Sequence, residues 1–291
     1  MRHFKGAISG SNFTVKRHWK ITAVLLPLAL AASVAFHLWW QARLDARIDL
    51  SRKLIGRWAA EGRADKLIAG SPAVLKGGVS RVPGHSGIAW SFDGATANVS
   101  VPDGPQLAFR AGQDFSVMAW IQPKHSSTSF NIMSIVEKRK VGGITTALGY
   151  SLHLDDGRLG CQISPSKGPQ ITKADLLAPS RWLTIWKNRN APAAVNGFCS
   201  TGPDLRDGKF HHVALTMNRH STTGGKLYVD GNVILTFDPT KVRGSLANSE
   251  PLLIGTHPDT TLQCAFKGLI EDVRLYARTL SPAEIERAAK Q

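Results

Sequence analysis

One pattern constrains this chain more than any other: short β-rich runs cut at intervals by Asp-Gly pairs. Phe115 to Ile121, Tyr150 to Leu154, His212 to Thr216, Lys226 to Val229, Asn232 to Phe237 and Leu269 to Tyr276 read as strands, several alternating apolar with polar residues. Asp93-Gly94, Asp103-Gly104, Asp156-Gly157, Asp207-Gly208 and Asp230-Gly231 punctuate them. Asp-Gly marks a hairpin because both central residues of a type I′ turn need positive φ. Many short strands with almost no helix predict an all-β, two-sheet antiparallel sandwich. The exception is Ser281-Pro282-Ala283-Glu284, a capping box with proline at the first helical position, which predicts a short helix over 282–290. No internal repeat divides residues 54–291, which read as a single domain. An apolar fraction of 43% against 20% charged excludes disorder.

The first part of the chain follows other rules. Residues 1–20 are basic without an acid, and residues 21–40 carry no formally charged side chain. At about 1.5 Å per residue, that stretch spans the roughly 30 Å hydrocarbon layer. Pro27 is tolerable there as a kink. The positive-inside rule keeps residues 1–20 in the cytoplasm and places Trp39 and Trp40 at the opposite interface. Ala29-Leu30-Ala31 offers a signal-peptidase site ahead of Ala32, but the apolar run continues through Val34, Phe36 and Leu38, which favours an uncleaved anchor. Either way the domain is exported. The expectation is a single-pass membrane protein, partnered by the lipid bilayer through residues 21–40, with its C-terminal domain periplasmic or extracellular. The spacing of Leu44, Ile48 and Ile55 predicts a helical stalk over 41–53.

Lys and Arg number 36 against 21 Asp and Glu, a net charge of +15, and most of that excess belongs to the exported part. No zinc-finger spacing, RNP pattern or basic helix with heptads accompanies it, so nucleic acid is not the expected partner. Attraction to an anionic surface polymer and a merely solvated basic surface both fit. Cys161, Cys199 and Cys264 would allow one disulfide after export. Cys161 and Cys199, both in strand-like segments, are the preferred pair. There is no Cys-x-x-Cys to support a zinc or redox role.

With these blocks in view, the chain resembles the laminin-G-like (concanavalin A-like) jelly-roll domains of bacterial surface and exported proteins. Leu54-Ile-Gly-Arg-Trp58 looks like the opening strand. Ala89-Trp-Ser-Phe-Asp-Gly94, Phe115 to Ile121, Gly149-Tyr150 with Asp156-Gly157-Arg158-Leu159, Asp207-Gly-Lys-Phe-His-His-Val-Ala214, Leu227-Tyr-Val-Asp-Gly231 and Phe266 to Tyr276 follow in the family's order. The resemblance implies two antiparallel sheets packed face to face. In that setting Trp58, Phe92, Trp120, Val213, Leu215 and Val229 would be the large inward side chains, each worth about 1.5–3 kcal/mol when fully buried. Such motifs identify architecture better than activity.

One departure from the family is an insertion at about 165–206, rich in proline and carrying Trp182, Trp186 and Phe198. A loop this long is usually functional or disordered, and its aromatic residues argue against disorder. Trp182 and Trp186 are therefore the candidate ligand-binding residues, the alternative being a flap that packs them onto the sandwich.

Signs of catalysis are few. A retaining glycosidase needs two carboxyl groups about 5–5.5 Å apart, which alternate positions on one strand provide. The Glu-x-Asp-x-x-Glu strand expected of such relatives is absent, and Glu271 and Asp272, being adjacent, would point to opposite faces. That leaves only a pair assembled from different strands. Gly84-His85-Ser86-Gly87 ends on Ile88 where a nucleophile elbow needs glycine. Gly224-Gly225-Lys226 lacks the spacing of a phosphate loop. His211-His212 reads as a structural doublet whose members face opposite ways. Relatives often hold calcium at one rim. The resemblance carries Asp93 and Asp272, with Glu271 as alternative, over as ligands of a structural Ca2+, while the competing reading has Asp93 capping a turn. The expected function is a membrane-tethered, exported binding module for carbohydrate or surface protein, without chemistry of its own. A glycoside hydrolase acting on cell-surface polysaccharide and a structural protein–protein component of an envelope assembly are the alternatives.

Overall fold

The computed structural model describes residues 30, 32–37, 39–40, 48–60, 73–125, 131–142, 146–166 and 197–291. They belong to two compact units, Met1–Asp49 and Leu50–Gln291. In the first unit residues 30, 32–37 and 39–40 are helical, and Ser33 Oγ donates to the Leu30 carbonyl at 2.8 Å. Among the described residues no helix is long and apolar enough to cross a membrane. Most of the expected anchor, and residues 41–47 of the expected stalk, lie outside them.

The expected stalk helix does not extend over 50–53. Those residues form a turn in which Leu54 N donates to the Ser51 carbonyl at 3.1 Å and Lys53 takes a positive φ of 54°. Leu50 and Leu54 pack onto the domain instead of continuing a helical face.

The second unit is the expected antiparallel sandwich. An eight-stranded sheet contains β1 (Leu54–Trp58), β3 (Ser80–Pro83), β4 (Ile88–Asp93), β6 (Phe115–Pro123), β11 (His211–Met217), β12 (Gly225–Val229), β13 (Asn232–Phe237) and β15 (Lys267–Tyr276). Its order is β13-β12-β11-β6-β15-β4-β3, with β1 also paired to β15. A seven-stranded sheet runs β10-β9-β8-β7-β14-β5-β2, formed by β2 (Val74–Lys76), β5 (Asn98–Val101), β7 (Ile132–Gly142), β8 (Thr146–Asp155), β9 (Arg158–Ser164), β10 (Gly197–Cys199) and β14 (Leu252–Ile254). Two of the Asp-Gly pairs make hairpins as expected. Asp156-Gly157 has φ values of 48° and 76°, and Asp230-Gly231 has 49° and 81°. Asp103-Gly104 does not, because Gly104 is extended at φ −159° and leads into a 3-10 turn.

The main core fills the space between the sheets. Trp58, Phe92, Val213, Leu215 and Val229 point into it as expected. Trp120 does not, which corrects that expectation. On β6, Val117, Ala119 and Ile121 face the core, so period-two alternation sends Met118 and Trp120 to the outer face. Part of that face is dry as well, because helix α1 (Pro282–Ala288) covers it with Ile285 and Ala288 over Met118, Ala214, Tyr228 and Tyr276. The helix starts with the predicted capping box: Ser281 Oγ accepts from Glu284 N, and Glu284 Oε2 accepts from Ser281 N at 2.8 Å.

The insertion returns to the sandwich as β10, an edge strand beside β9. Phe198 on β10 stacks on Phe237 of β13 with ring centroids 3.9 Å apart, closing one side of the sandwich between the two sheets' edges. The preferred disulfide is not formed, and all three cysteines stand as thiols. Cys161 points into the core, whereas Cys199 pairs in register with Gly160, whose side-chain direction is the opposite one. The two sulfurs therefore lie on different faces of adjacent strands.

Candidate functional site

Strand β15 changes partner half-way along. Its first part pairs with β4 and its second with β1, with a bulge between Glu271 and Arg274. Ile270 and Val273 both face the core, and Asp272 has φ 52°. Glu271 and Asp272 therefore share the outer face, correcting the expectation that adjacent carboxylates diverge; a bulge sets two residues against one and breaks the alternation.

Neither carboxylate is poised for chemistry. Glu271 Oε2 accepts from His85 N at 2.5 Å, and its Oε1 from Ser86 N at 3.2 Å and Ser86 Oγ at 3.1 Å, which ties down the β3–β4 turn. That turn lays the His85 ring on Trp120, centroids 3.7 Å apart, so Gly84 to Gly87 act as the turn expected. Asp272 accepts from Arg57 Nε at 2.5 Å and Arg274 Nε at 3.0 Å, and also bonds Arg274 Nη2. Burial would raise its pKa, but the Arg274 and Arg57 guanidinium groups hold it below the ordinary aspartate value.

Asp93, opposite Lys267 at the far end of the β4–β15 pairing, is a turn cap. Its Oδ1 accepts from the backbone N of Ala95, Thr96 and Ala97 at 2.8, 3.0 and 2.9 Å. Calcium takes six to eight oxygen ligands. Here the oxygens of Asp93, Glu271 and Asp272 are engaged by separate sets of N–H and O–H donors, and among the described residues no group of three His, Cys, Asp or Glu could hold a metal. These residues do not fit the calcium ion that the resemblance implied.

The histidine doublet divides. His211 is clamped between Asp230 Oδ2 at 2.8 Å and Asp207 Oδ1 at 3.0 Å, and these carboxylates, Asp230 foremost, raise its pKa. His212 lies buried edge-on to Trp120; burial, with Arg274 nearby, lowers its pKa to about 4.

The outer face of the seven-stranded sheet is polar and buried. A bulge in β7 between Ser134 and Val136 turns Glu137 and Arg139 to this face. Arg139 grips Glu137 with Nε–Oε2 2.6 Å and Nη2–Oε1 2.9 Å, and Ser134 Oγ donates to the same carboxylate at 2.9 Å. Arg139 Nη1 bonds Gln162, whose Nε2 donates to Ser164 Oγ at 3.2 Å. Ser151 Oγ lies 3.3 Å from His153 Nδ1, and burial pushes the His153 pKa down to about 3, with Arg139 adding to the effect. Sequence reasoning missed this network, although Glu137-Lys138-Arg139 inside a strand was a signal for it.

An open groove of about 650 Å³ lies at the end of the sandwich where the chain enters the domain. The turn before β1 contributes Lys53, the 3-10 turn Gln106, and the loop before β6 Gly112, Gln113 and Asp114; His220 and Arg278 complete the polar lining. Buried Arg219 fixes these loops. It donates to the carbonyls of Arg110 at 3.1 Å, Val242 at 2.7 Å and Gly244 at 2.7 Å, while its backbone N donates to Asp114 Oδ1 at 2.8 Å. His220 Nε2 reaches the Gly112 carbonyl at 2.8 Å. An amide-, carboxylate- and amine-lined concavity can exchange hydrogen bonds with a polyhydroxylated ligand. The groove gathers residues far apart in sequence, so no local motif announced it. Trp182 and Trp186, the ligand-binding residues expected from sequence, lie outside the described residues.

A laminin-G family model, described as the concanavalin A-like lectin/glucanases superfamily, matches residues 93–286. The chain belongs to this family. Among solved structures, this laminin-G-like domain is similar to the binding domain of Paraclostridial Mosquitocidal Protein 1, with TM-score 0.60, 16% identity, and coverage of 83% of this chain and 52% of that one. It is also similar to domain 4 of AbnA, an extracellular arabinanase of Geobacillus stearothermophilus solved with arabinotriose, with TM-score 0.50, 15% identity, and 81% and 98% coverage. The binding domain of Botulinum neurotoxin DC in complex with rat synaptotagmin II gives TM-score 0.56, 11% identity, and 83% and 52% coverage. The chain thus spans about half the length of the toxin binding domains and nearly all of the arabinanase domain. At these identities the likeness concerns the fold. None of the curated proteins searched matches the chain.

Proposed function

We propose that this laminin-G-like domain is an exported, membrane-tethered carbohydrate-binding module without chemistry of its own, held to the bilayer through residues 21–40. The observation that carries the reading is the groove at the chain-entry end, whose lining offers hydrogen-bond donors and acceptors on loops locked by Arg219. Binding in place of turnover is favoured because Glu137, Glu271 and Asp272 already have their oxygens engaged, whereas a glycosidase needs one carboxyl group able to give up a proton and another open to the sugar. The sugar complex of the AbnA domain supports the reading at the level of fold.

The test is a glycan array probed with the full chain in neutral detergent, beside the Gln106→Ala and Gln113→Ala variants. Retained glycans whose signal falls in both variants are expected, with no reducing ends released on prolonged incubation. Sugar release would convert the module into a hydrolase. An alkaline carbonate wash followed by mass measurement tests the tether: a chain washed off the membrane, or one starting at Ala32, refutes it.

A further inference from the structure

We propose that the groove selects an anionic glycan, one carrying carboxylate or sulfate groups, over a neutral one; this inference rests on the carbohydrate-binding reading above. Arg52, Lys53, Arg110, Lys241 and Arg243 are all exposed and all lie in the loops that meet at this end. Among the described residues none of the five makes an ion pair. The neighbouring acids are already compensated from within. Asp103 pairs with Lys138 at 2.9 Å, and Glu284 with Arg278 at 2.7 Å. Asp114 accepts from the backbone of Arg219, whose guanidinium lies behind it, and Asp238 accepts from Thr240 N and Oγ1 at 2.9 and 2.6 Å. Asp114 and Asp238 keep their charge, Asp238 within electrostatic reach of Lys241, and the exposed cations outnumber these two acids at the groove.

Arg219 ties the Arg110 loop to the Val242–Gly244 segment through three carbonyls, so Arg110 and Arg243 are carried by loops that cannot drift apart. A rigid set of cations around a concave, amide-lined floor fits a chain that offers both hydroxyls and negative groups. Sugar hydroxyls can bond Gln106 and Asp114 on the floor while anionic substituents meet the guanidinium and ammonium groups on the rim. A flat lipid surface could reach the rim but would leave the floor without partners.

The experiment measures binding of the full chain, in neutral detergent, to immobilised polygalacturonate, dextran sulfate, dextran and linear arabinan, with phosphatidylglycerol vesicles as a further probe. Arg110→Glu/Arg243→Glu, two rim positions outside the groove lining, is compared with the parent, and both are checked for a β-sheet circular dichroism spectrum. The polyanions should bind at least about tenfold more tightly than the neutral polymers at about 50 mM salt, and this advantage should shrink at about 500 mM. The double charge reversal should remove about tenfold of the polyanion affinity and leave neutral binding unchanged. Equal affinity for charged and neutral polymers, or a double variant that binds polyanions as the parent does, overturns the selectivity while the carbohydrate reading stands. Failure of all four polymers overturns both. Vesicle binding without polyanion binding reassigns the surface to the membrane and overturns the proposal.

Discussion

The two sheets present opposite solutions on their outer faces. The eight-stranded sheet is dry on its inner side and over the part of its outer side where Met118, Ala214, Tyr228 and Tyr276 are sealed beneath Ile285 and Ala288 of the terminal helix, with Glu271 and the Asp272–Arg57–Arg274 group beside that patch. The seven-stranded sheet buries charge on its outer side, where Glu137, Arg139 and His153 are linked to Ser134, Gln162, Ser164 and Ser151. A dry face tolerates loss of one contact in proportion to the area removed. A buried ionic face does not, because removing one partner leaves the other charged and desolvated.

The largest effect should therefore come from the seven-stranded side. Arg139→Ala strands the Glu137 carboxylate and should cost about 3–5 kcal/mol in urea unfolding. The double variant Glu137→Gln/Arg139→Met should recover much of that loss. A cost below about 1 kcal/mol for Arg139→Ala would mean that water reaches the pair, and the contrast between the faces would collapse. On the dry side, Ile285→Ala should cost about 2–4 kcal/mol, a transfer-plus-cavity loss with no charged group left behind. Circular dichroism of that variant should keep the β signal.

Acid separates the faces by a different route, since one buried histidine with a lowered pKa, His212, lies on the eight-stranded side and two, His153 and His257, lie on the other. His153 has its pKa pushed to about 3 and His212 to about 4. Above the ordinary histidine value both are neutral folded and unfolded, so they leave stability unchanged with pH. Below it the unfolded chain takes up protons that the folded chain refuses, and stability falls as pH drops from about 6.5 toward 4. His211 has the opposite sign: its raised pKa gives stability that is full below about 6.5 and lost as pH rises through the folded value. His212→Asn should flatten the acid slope by up to about 1.4 kcal/mol per pH unit, leaving the share that belongs to His153 and His257. An unchanged slope between pH 6.5 and 4 would show that His212 titrates as an ordinary surface residue.

The same contrast explains what could be read from the sequence. The strand pattern, the two type I′ hairpins and the helix cap are local signals, and each is realised. Trp120 misled because β6 is apolar at nearly every position, as befits a strand buried on both faces, so alternation could not say which way it points. Lys138 posed the reverse difficulty. It faces inward opposite Tyr150, and its ammonium is satisfied by the Asn248 and Glu250 carbonyls at 2.9 and 2.5 Å, a cage built from residues more than a hundred positions away. The bulge at Glu271–Asp272 was equally hidden, since it arises where β15 exchanges β4 for β1 and no residue in the run requires it. The groove belongs to the same class of feature, made by loops meeting in space.

The smallest effect tests whether the dry face depends on its cover's own stability. Ser281→Ala removes the hydroxyl that accepts from Glu284 N and should cost about 1 kcal/mol, or about 2–4 °C in Tm for a domain of this size. Glu284 continues to bond Ser281 N and Arg278 in that variant, so half of the capping box survives. A helix of only Pro282–Ala288 is far too short to stand by propensity, and its packing on Met118, Tyr228 and Tyr276 must hold it. If that is right, the loss stays near the cap's own value and hydrogen exchange rises only in residues 282–291. A loss above about 2 kcal/mol, with exchange spreading into β6 and β15, would mean that the cap controls whether the face is covered at all.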